Sequence, residues 1–496
     1  MLEFSYTPPS IHLLEQSLDA LPQSDAAVAL ILVAEDRKGF FLGEVQSPEL
    51  QLQEQLNQGS VIHRVEGGQW QWIGFLPAIP ESEAQLYKKL RTVVSQIGPL
   101  RAEHVAIHLY GFEPEAGARV AEAALGVLLS QRVVLSSYKS APKERWPLSR
   151  VSLSPALAID IRRITAEVEG NALARYLSAL PSSELTAREY RRFVHRLAQQ
   201  EGWECHDYDQ VQLAERGAGA FLAVARGADD DQGAIVRLRH RVSDKQGRLA
   251  LVGKGICHDS GGYNLKVAGS MYGMHLDMGG SAVALGTLLA ITRAGLPYGV
   301  DCWLAIAENH IGPRAYRPGD IVTAINGKTI EVVDTDAEGR MVLADTLTMA
   351  SENAPDLLID YATLTGACKR ALGSRYSGVF TNREAWLVPL IEVGRRCGER
   401  IWPFPLDEDY DETLESEWAD LLQCAPGASC DHIDAARFLS HFVPAQTPWL
   451  HLDLSGFRHK GGQGLVTSEI TGFGVRLTLA LLADGRFLSK VRKQGR

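Results

Sequence analysis

The run DTDAEGR, residues 334–340, sets Asp336, Glu338 and Arg340 at every second position, and a second polar stretch upstream, VGKGICHDSGGYNLK, supplies Lys254, Asp259 and Lys266. Asp277 follows in LDMGGS. Carboxylates brought together at this density repel one another unless cations sit between them, and hard oxygen ligands suit divalent ions. Two ions about 3.5–4 Å apart, bridged by shared carboxylates and a water, form an arrangement that hydrolyses acyl or phosphoryl bonds. Four acids in two clusters therefore point to a two-metal hydrolase.

The lysines narrow the chemistry. A lysine can bind a metal only as the neutral amine, and releasing its proton at pH 7 from a pKa near 10.4 costs roughly 4–5 kcal/mol. One lysine could be an unusual ligand, held by a dication that offsets the loss of the proton. The other would stay cationic and face an oxyanion in the transition state. In the acidic run, positions 336, 338 and 340 share a face if the segment is extended; a helix would scatter them, and a loop could bring them together by other means. Taken alone, a DxExR run reads most simply as a salt-bridged surface turn. The upstream cluster makes it a site.

With these residues in place, the chain resembles the leucine (cytosol) aminopeptidases, dinuclear metallopeptidases whose signature NTDAEGRL reads DTDAEGRM here. The blocks VGKGICHDSGG, LKVAGSMYGMHLDMGG, RPGDIVTAINGKTIEV, DYATLTGAC, SGVFTN, HLDLSG and TGFGVR follow in family order. The resemblance implies that Lys254, Asp259, Asp277 and Glu338 hold a tighter-bound metal, and that Asp259, Asp336 and Glu338 hold a more exchangeable one. The ions would be Zn2+ or Mn2+, with Mg2+ or Co2+ as other candidates. It further implies that Lys266 stabilises the gem-diolate, that Arg340 holds a bicarbonate acting as general base, and that Met274, Thr363, Leu364 and Gly366 line the substrate cleft. Short peptides with a free N-terminus would be the substrates, and a homohexamer the assembly.

The elements that must position these groups follow a strand, helix, strand rhythm. An apolar run at 249–252 reads as a buried strand ending before Lys254, 281–293 as a helix stopped by Gly295 and Pro297, and 300–307 as a strand. A helix at 341–351 and a strand at 356–362 come next. Lys254, Glu308 and Thr363 would then lie just past strand ends on one rim, where open α/β sheets bind ligands. The expected fold is α/β: a smaller N-terminal α/β domain over 1–150, resembling a macro domain by family position alone, a linking helix within 151–180, and a catalytic domain over 181–496 with a mixed, largely parallel sheet flanked by helices. In the first half, 28–33 and 104–109 read as strands and 116–131 as an amphipathic helix. Pro142, Pro147 and Pro155 mark the boundary.

Composition is that of a globular protein, 45% hydrophobic and 22% charged. The N-terminal residues lack the basic start and apolar core of a secretory signal, and their run AVALILVA is too short to span a bilayer. A cytoplasmic location is expected, without membrane attachment. Seven cysteines without a regular framework fit reduced thiols. Cys424, Cys430 and His432 are too few and too irregularly spaced for a structural zinc site; Cys257 and His258, beside Asp259, read as packing. A net charge of −10 argues against nucleic acid as a partner, although some family members bind DNA and RRFVHR (191–196) and KVRKQGR (490–496) are basic.

Several positions depart from the family pattern. Asp334 replaces asparagine, His310 and Ile311 stand in the ENHIGP block, Ser455 replaces alanine, and CDHID replaces a glycine-rich run before AARFL. None removes a candidate ligand, so an active enzyme is expected, with an atypical side-chain pocket. A DNA-binding architectural or regulatory member of the family and a metal-bearing scaffold of low turnover with an altered cleft are the competing readings, and within the active reading a Cys-Gly dipeptidase is as legitimate as a leucine preference.

Overall fold

The computed structural model describes residues 2–15, 26, 28–38, 60–64, 70–77, 82–141, 145–228, 232–243, 246–427, 429–484 and 487. The basic run 490–496 and Pro142 lie outside them. The chain divides into two compact units, one of Ser5–Val168 with Lys460–Glu469 and one of Met1–Phe4, Glu169–His459 and Ile470–Arg496. The division falls inside the helix Ile161–Ser178, and Arg150–Ser154 is a strand of the first sheet.

The smaller unit is built on a six-stranded sheet in the order Ser10–Leu13, Arg150–Ser154, His104–Tyr110, Val28–Ala34, Trp70–Leu76, Ser60–Arg64. All neighbours run parallel except the last pair. Val28–Ala34 has a parallel strand on each side and is buried along its whole length, which is why it reads as an unbroken apolar run. The helix Pro114–Gln131 opens on a proline whose missing N–H is no loss there, and packs Val120, Ala121, Ala124 and Leu128 into the core.

The larger unit carries an eight-stranded mixed sheet, ordered Ile401–Pro403, Ser377–Thr381, Trp449–Asp453, Leu357–Ala362, Gly247–Asp259, Tyr298–Asn309, Ala234–His240, Glu204–Tyr208. Its middle four strands are parallel. The helix Gly279–Ala294 covers one face so closely that a Cβ on Gly280 would meet the Tyr361 carbonyl oxygen at 2.0 Å. Only glycine allows that approach. The segment Met274–Ala294 is apolar and long enough to cross a membrane by composition, yet 83% of its most apolar window is buried inside the protein. It is a core helix.

One expectation is corrected here. Lys254 does not follow a strand end: the strand continues to Asp259, and Lys254 pairs in register with Ala305. Glu308 likewise lies within Tyr298–Asn309. Strands with parallel partners on both sides stay apolar on both faces, so hydrophobicity alone does not mark where they stop.

Candidate active site

Four parallel strands end side by side at Asp259, Asn309, Ala362 and Asp453, with Ala362 paired to Asp453 and Asn309 to Asp259. Their carboxyl ends form the rim on which the site stands. Asp259 is buried, and its Oδ1 accepts from Asn309 Nδ2 at 2.8 Å and from the Gly261 N–H at 2.9 Å. Asn309 also donates to the Thr335 carbonyl, tying the strand end to the acidic run.

The two lysines and four acids meet in one cage. Lys254 Nζ lies 2.8 Å from both Asp277 Oδ2 and Glu338 Oε1, and 3.1 Å from the Thr363 carbonyl oxygen. Lys266 Nζ lies 2.8 Å from Asp259 Oδ2 and 2.6 Å from Asp336 Oδ1. Thr363 Oγ1 donates to Asp277 Oδ1. Gly339 is forced by the same crowding, since a Cβ there would stand 2.6 Å from Lys254 Nζ.

Burial raises the Asp277 carboxyl well above its ordinary range, with Lys254 opposing and Glu338 and Asp259 adding repulsion. Burial and the Asp259 charge push Asp336 up to about 6 and raise Glu338. Burial alone would lower Lys254 and Lys266, but the surrounding carboxylates outweigh it and hold both ammonium groups above their usual value. Two cations against four acids leave negative charge to be met. Carboxylate oxygens of Asp259, Asp336 and Glu338 all lie within 4.8 Å of one another, and Oε2 of Glu338 is buried without a hydrogen-bond partner among the described residues. An all-carboxylate donor set of this kind fits divalent cations.

The acidic run is not extended. Asp336 occupies a turn, and Glu338 and Arg340 belong to the first turn of the helix Glu338–Ser351. Residues two apart on a helix point about 200° away from each other. Glu338 therefore enters the cage, while Arg340 turns into the protein, where Nη1 reaches the Gln423 carbonyl at 3.2 Å and Nη2 meets Asp431. Asp334 explains itself locally, its Oδ1 accepting the Asp336 N–H at 2.8 Å and shaping the turn.

A cavity of about 400 Å³ opens over the cage and is lined by every other predicted residue: Lys254, Asp259, Asp277, Asp336 and Glu338, with Lys266, and Met274, Thr363, Leu364 and Gly366. Arg340 is not among its walls. Sequence reasoning missed Asp453, buried at the end of its strand, whose carboxylate accepts from Thr365 Oγ1 at 2.7 Å and from the Leu364 and Thr365 N–H groups. It holds the loop at Leu364 and Thr365 in place. The block HLDLSG carried the signal, but a lone Asp at a strand end has no spacing to announce it.

Cys257 packs in the core, and His258 stacks edge-on with His310, ring centroids 5.7 Å apart. Among the described residues, Cys424, Cys430 and His432 form no metal-capable group. His195, Cys205 and Asp207 do lie together, but Asp207 is already held by Arg191 and His195. That pairing also absorbs the Arg191 charge of the RRFVHR run.

A charged cage of buried acids beneath an open cavity, at the carboxyl rim of an α/β sheet, defines a metal-dependent hydrolase. Residues 172–479 match the cytosol aminopeptidase family, catalytic domain. A probable cytosol aminopeptidase of Prochlorococcus marinus (strain MIT 9313) is 40% identical over 363 residues, covering 70% of this chain and 73% of that protein. One from Syntrophotalea carbinolica is 38% identical over 389 residues, covering 74% and 78%. Among solved structures, a tomato leucine aminopeptidase mutant has a TM-score of 0.83 at 26% identity, covering 97% of this chain and 98% of that one. The bottromycin maturation enzyme BotP in complex with Mn has a TM-score of 0.77 at 31% identity, covering 92% and 99%. The chain belongs to the cytosol aminopeptidase family and is a metal-dependent aminopeptidase.

Proposed function

We propose that the cavity removes the N-terminal residue from short peptides, with two divalent ions held by Lys254, Asp259, Asp277, Asp336 and Glu338. The observation that carries this reading is the trio Asp259, Asp336 and Glu338, with ligand atoms within 4.8 Å of one another and the orphaned Oε2 of Glu338 beside them. When bound, such ions supply a nucleophilic water at neutral pH and polarise the scissile carbonyl. Asp259 and Glu338 would serve both ions, Lys254 would hold one as the neutral amine once a dication offsets the loss of its proton, and Lys266, kept cationic, would face the oxyanion. Manganese and zinc are the favoured ions, and the manganese-bound BotP supports the first. Asp453 fixes Leu364 and Thr365, whose backbone groups face the peptide.

The resemblance also places a bicarbonate on Arg340. The 2.5 Å contact supports Asp431 as the anion that occupies that guanidinium instead. The names of the relatives support a cytosolic location; the homohexamer is carried over from the family.

The test is turnover of a panel of aminoacyl amides by chelator-stripped protein, before and after addition of Mn2+ or Zn2+. Metal-restored cleavage of amides with a free amine, and none of N-acylated ones, is expected. Full activity in the stripped protein would overturn the reading.

A further inference from the structure

We propose that His195, Cys205 and Asp207 form a metal site of their own, outside the cage, for one thiophilic divalent cation of the zinc class. One ligand atom from each lies within 4.8 Å of the other two. Bonds of about 2.0–2.3 Å to a shared ion set tetrahedral ligands roughly 3.3–3.6 Å apart, so small side-chain rotations close the set. Two elements supply it. On the strand Glu204–Tyr208, Cys205 and Asp207 are two residues apart and share a face. On the helix Ala187–Glu201, Arg191 and His195 are four apart and share a side.

The contacts that already hold Asp207 suit an ion. His195 Nε2 lies 2.8 Å from Asp207 Oδ1, while Arg191 Nε donates to Oδ2 at 2.8 Å and Arg191 Nη1 to the Gln232 carbonyl at 2.9 Å. Arg191 therefore pins the carboxylate through one oxygen and leaves the other facing the imidazole across a common point. Outer partners of this kind orient metal-bound carboxylates. Cys205 is a free thiol, partly buried against the core of the larger unit. Burial, with the Asp207 charge behind it, pushes that thiol up to about 12, so Cys205 is neutral until a cation displaces its proton. On binding, the thiol proton passes to solvent, the imidazole proton sits on Nδ1, and thiolate and carboxylate offset the two charges of the ion. The His195 side chain is 48% exposed, which leaves a path inward and a fourth position for water. Sulfur is what separates this set from the cage, since a thiolate beside an imidazole favours Zn2+ or Co2+ over the harder Mn2+. The ion would tie an edge strand, bonded to its sheet only through Ala234–His240, to the helix Ala187–Glu201 packed on it.

Cobalt is the probe, because thiolate-bound Co2+ absorbs in the near ultraviolet through sulfur-to-metal charge transfer and the sulfur-free cage gives no such band. Chelator-stripped full-length protein titrated with Co2+ should gain the band with half-saturation below about 100 μM, and Zn2+, which is colourless, should bleach it. Cys205→Ser should abolish the band and reduce the rise in melting temperature that Co2+ gives the wild type. His195→Ala, at a half-exposed position, should weaken the band's Co2+ affinity by about tenfold or more. Turnover of aminoacyl amides should be unchanged in both variants. Absence of the band at saturating Co2+, or a band that persists in Cys205→Ser, overturns the proposal. Half-saturation only at millimolar Co2+ means an adventitious ion only, and a band indifferent to His195→Ala means binding by the thiol alone; each overturns it as well. None of these outcomes bears on the cage, which is read by metal-restored cleavage.

Discussion

Asp431 Oδ1 stands 2.5 Å from Nη2 of Arg340, whose side chain is only 3% exposed. Burial would raise the Asp431 carboxyl, but Arg340 outweighs it and holds the acid below its ordinary range. An arginine that has an internal anion has little use for a dissolved one. Wild-type turnover should therefore be indifferent to removal of bicarbonate. Asp431→Ala should leave a buried guanidinium without its anion and cost roughly 3–5 kcal/mol of stability, read as a lower melting temperature. A wild type that slows in bicarbonate-free buffer would show that Asp431 does not fill this role.

Glu338 and Lys266 separate metal binding from rate. Glu338→Ala should release both ions, read by elemental analysis of dialysed protein; two tightly held ions in that variant would remove Glu338 as the bridge. Lys266→Ala should keep the ions and lose about 10²- to 10³-fold in kcat, the effect of one oxyanion-stabilising group. Unchanged turnover would take Lys266 out of the chemistry.

The contact between the helix Gly279–Ala294 and the strand Leu357–Ala362 leaves no room at Gly280, where a Cβ would lie 2.0 Å from the Tyr361 oxygen. Gly280→Ala should force the two apart at a cost of about 1–3 kcal/mol, lowering the melting temperature. Since Asp277 lies one turn before, metal affinity should fall with it.

His108, on the strand His104–Tyr110, is buried, and among the described residues neither of its ring nitrogens has a hydrogen-bond partner. Burial lowers its pKa from 6.5 to about 4. The fold thus favours the neutral ring, so its contribution to stability is present above pH 6.5 and is lost as the pH falls toward 4, roughly 3 kcal/mol in all. His108→Leu should narrow the gap between melting temperatures at pH 5 and 7.5. An unchanged gap would mean that other groups dominate acid unfolding.

Much of the cage was legible because its acids and lysines fall in short runs whose residue types have few other uses. Their directions were not. The alternation at 336, 338 and 340 fits a strand as well as a turn leading into a helix, and only the backbone at Ala337 and Glu338 decides that Arg340 points away. The end of the strand through Lys254 was hidden for a related reason, since burial on both faces erases the pattern that would mark it. In the first half, Val28–Ala34 and His104–Tyr110 appear by hydrophobicity alone. Ser10–Leu13, short and largely exposed, has no such pattern and joins the sheet through its neighbour.

The strand ends that hold the site are scattered along the chain, from Asp259 to Asp453. A nascent polypeptide emerging from the ribosome has its first cage residue, Lys254, long before Asp453, which clamps Leu364 and Thr365. Peptidase activity must wait until Asp453 has been made, so that copies cut short before it are unable to digest peptides around them.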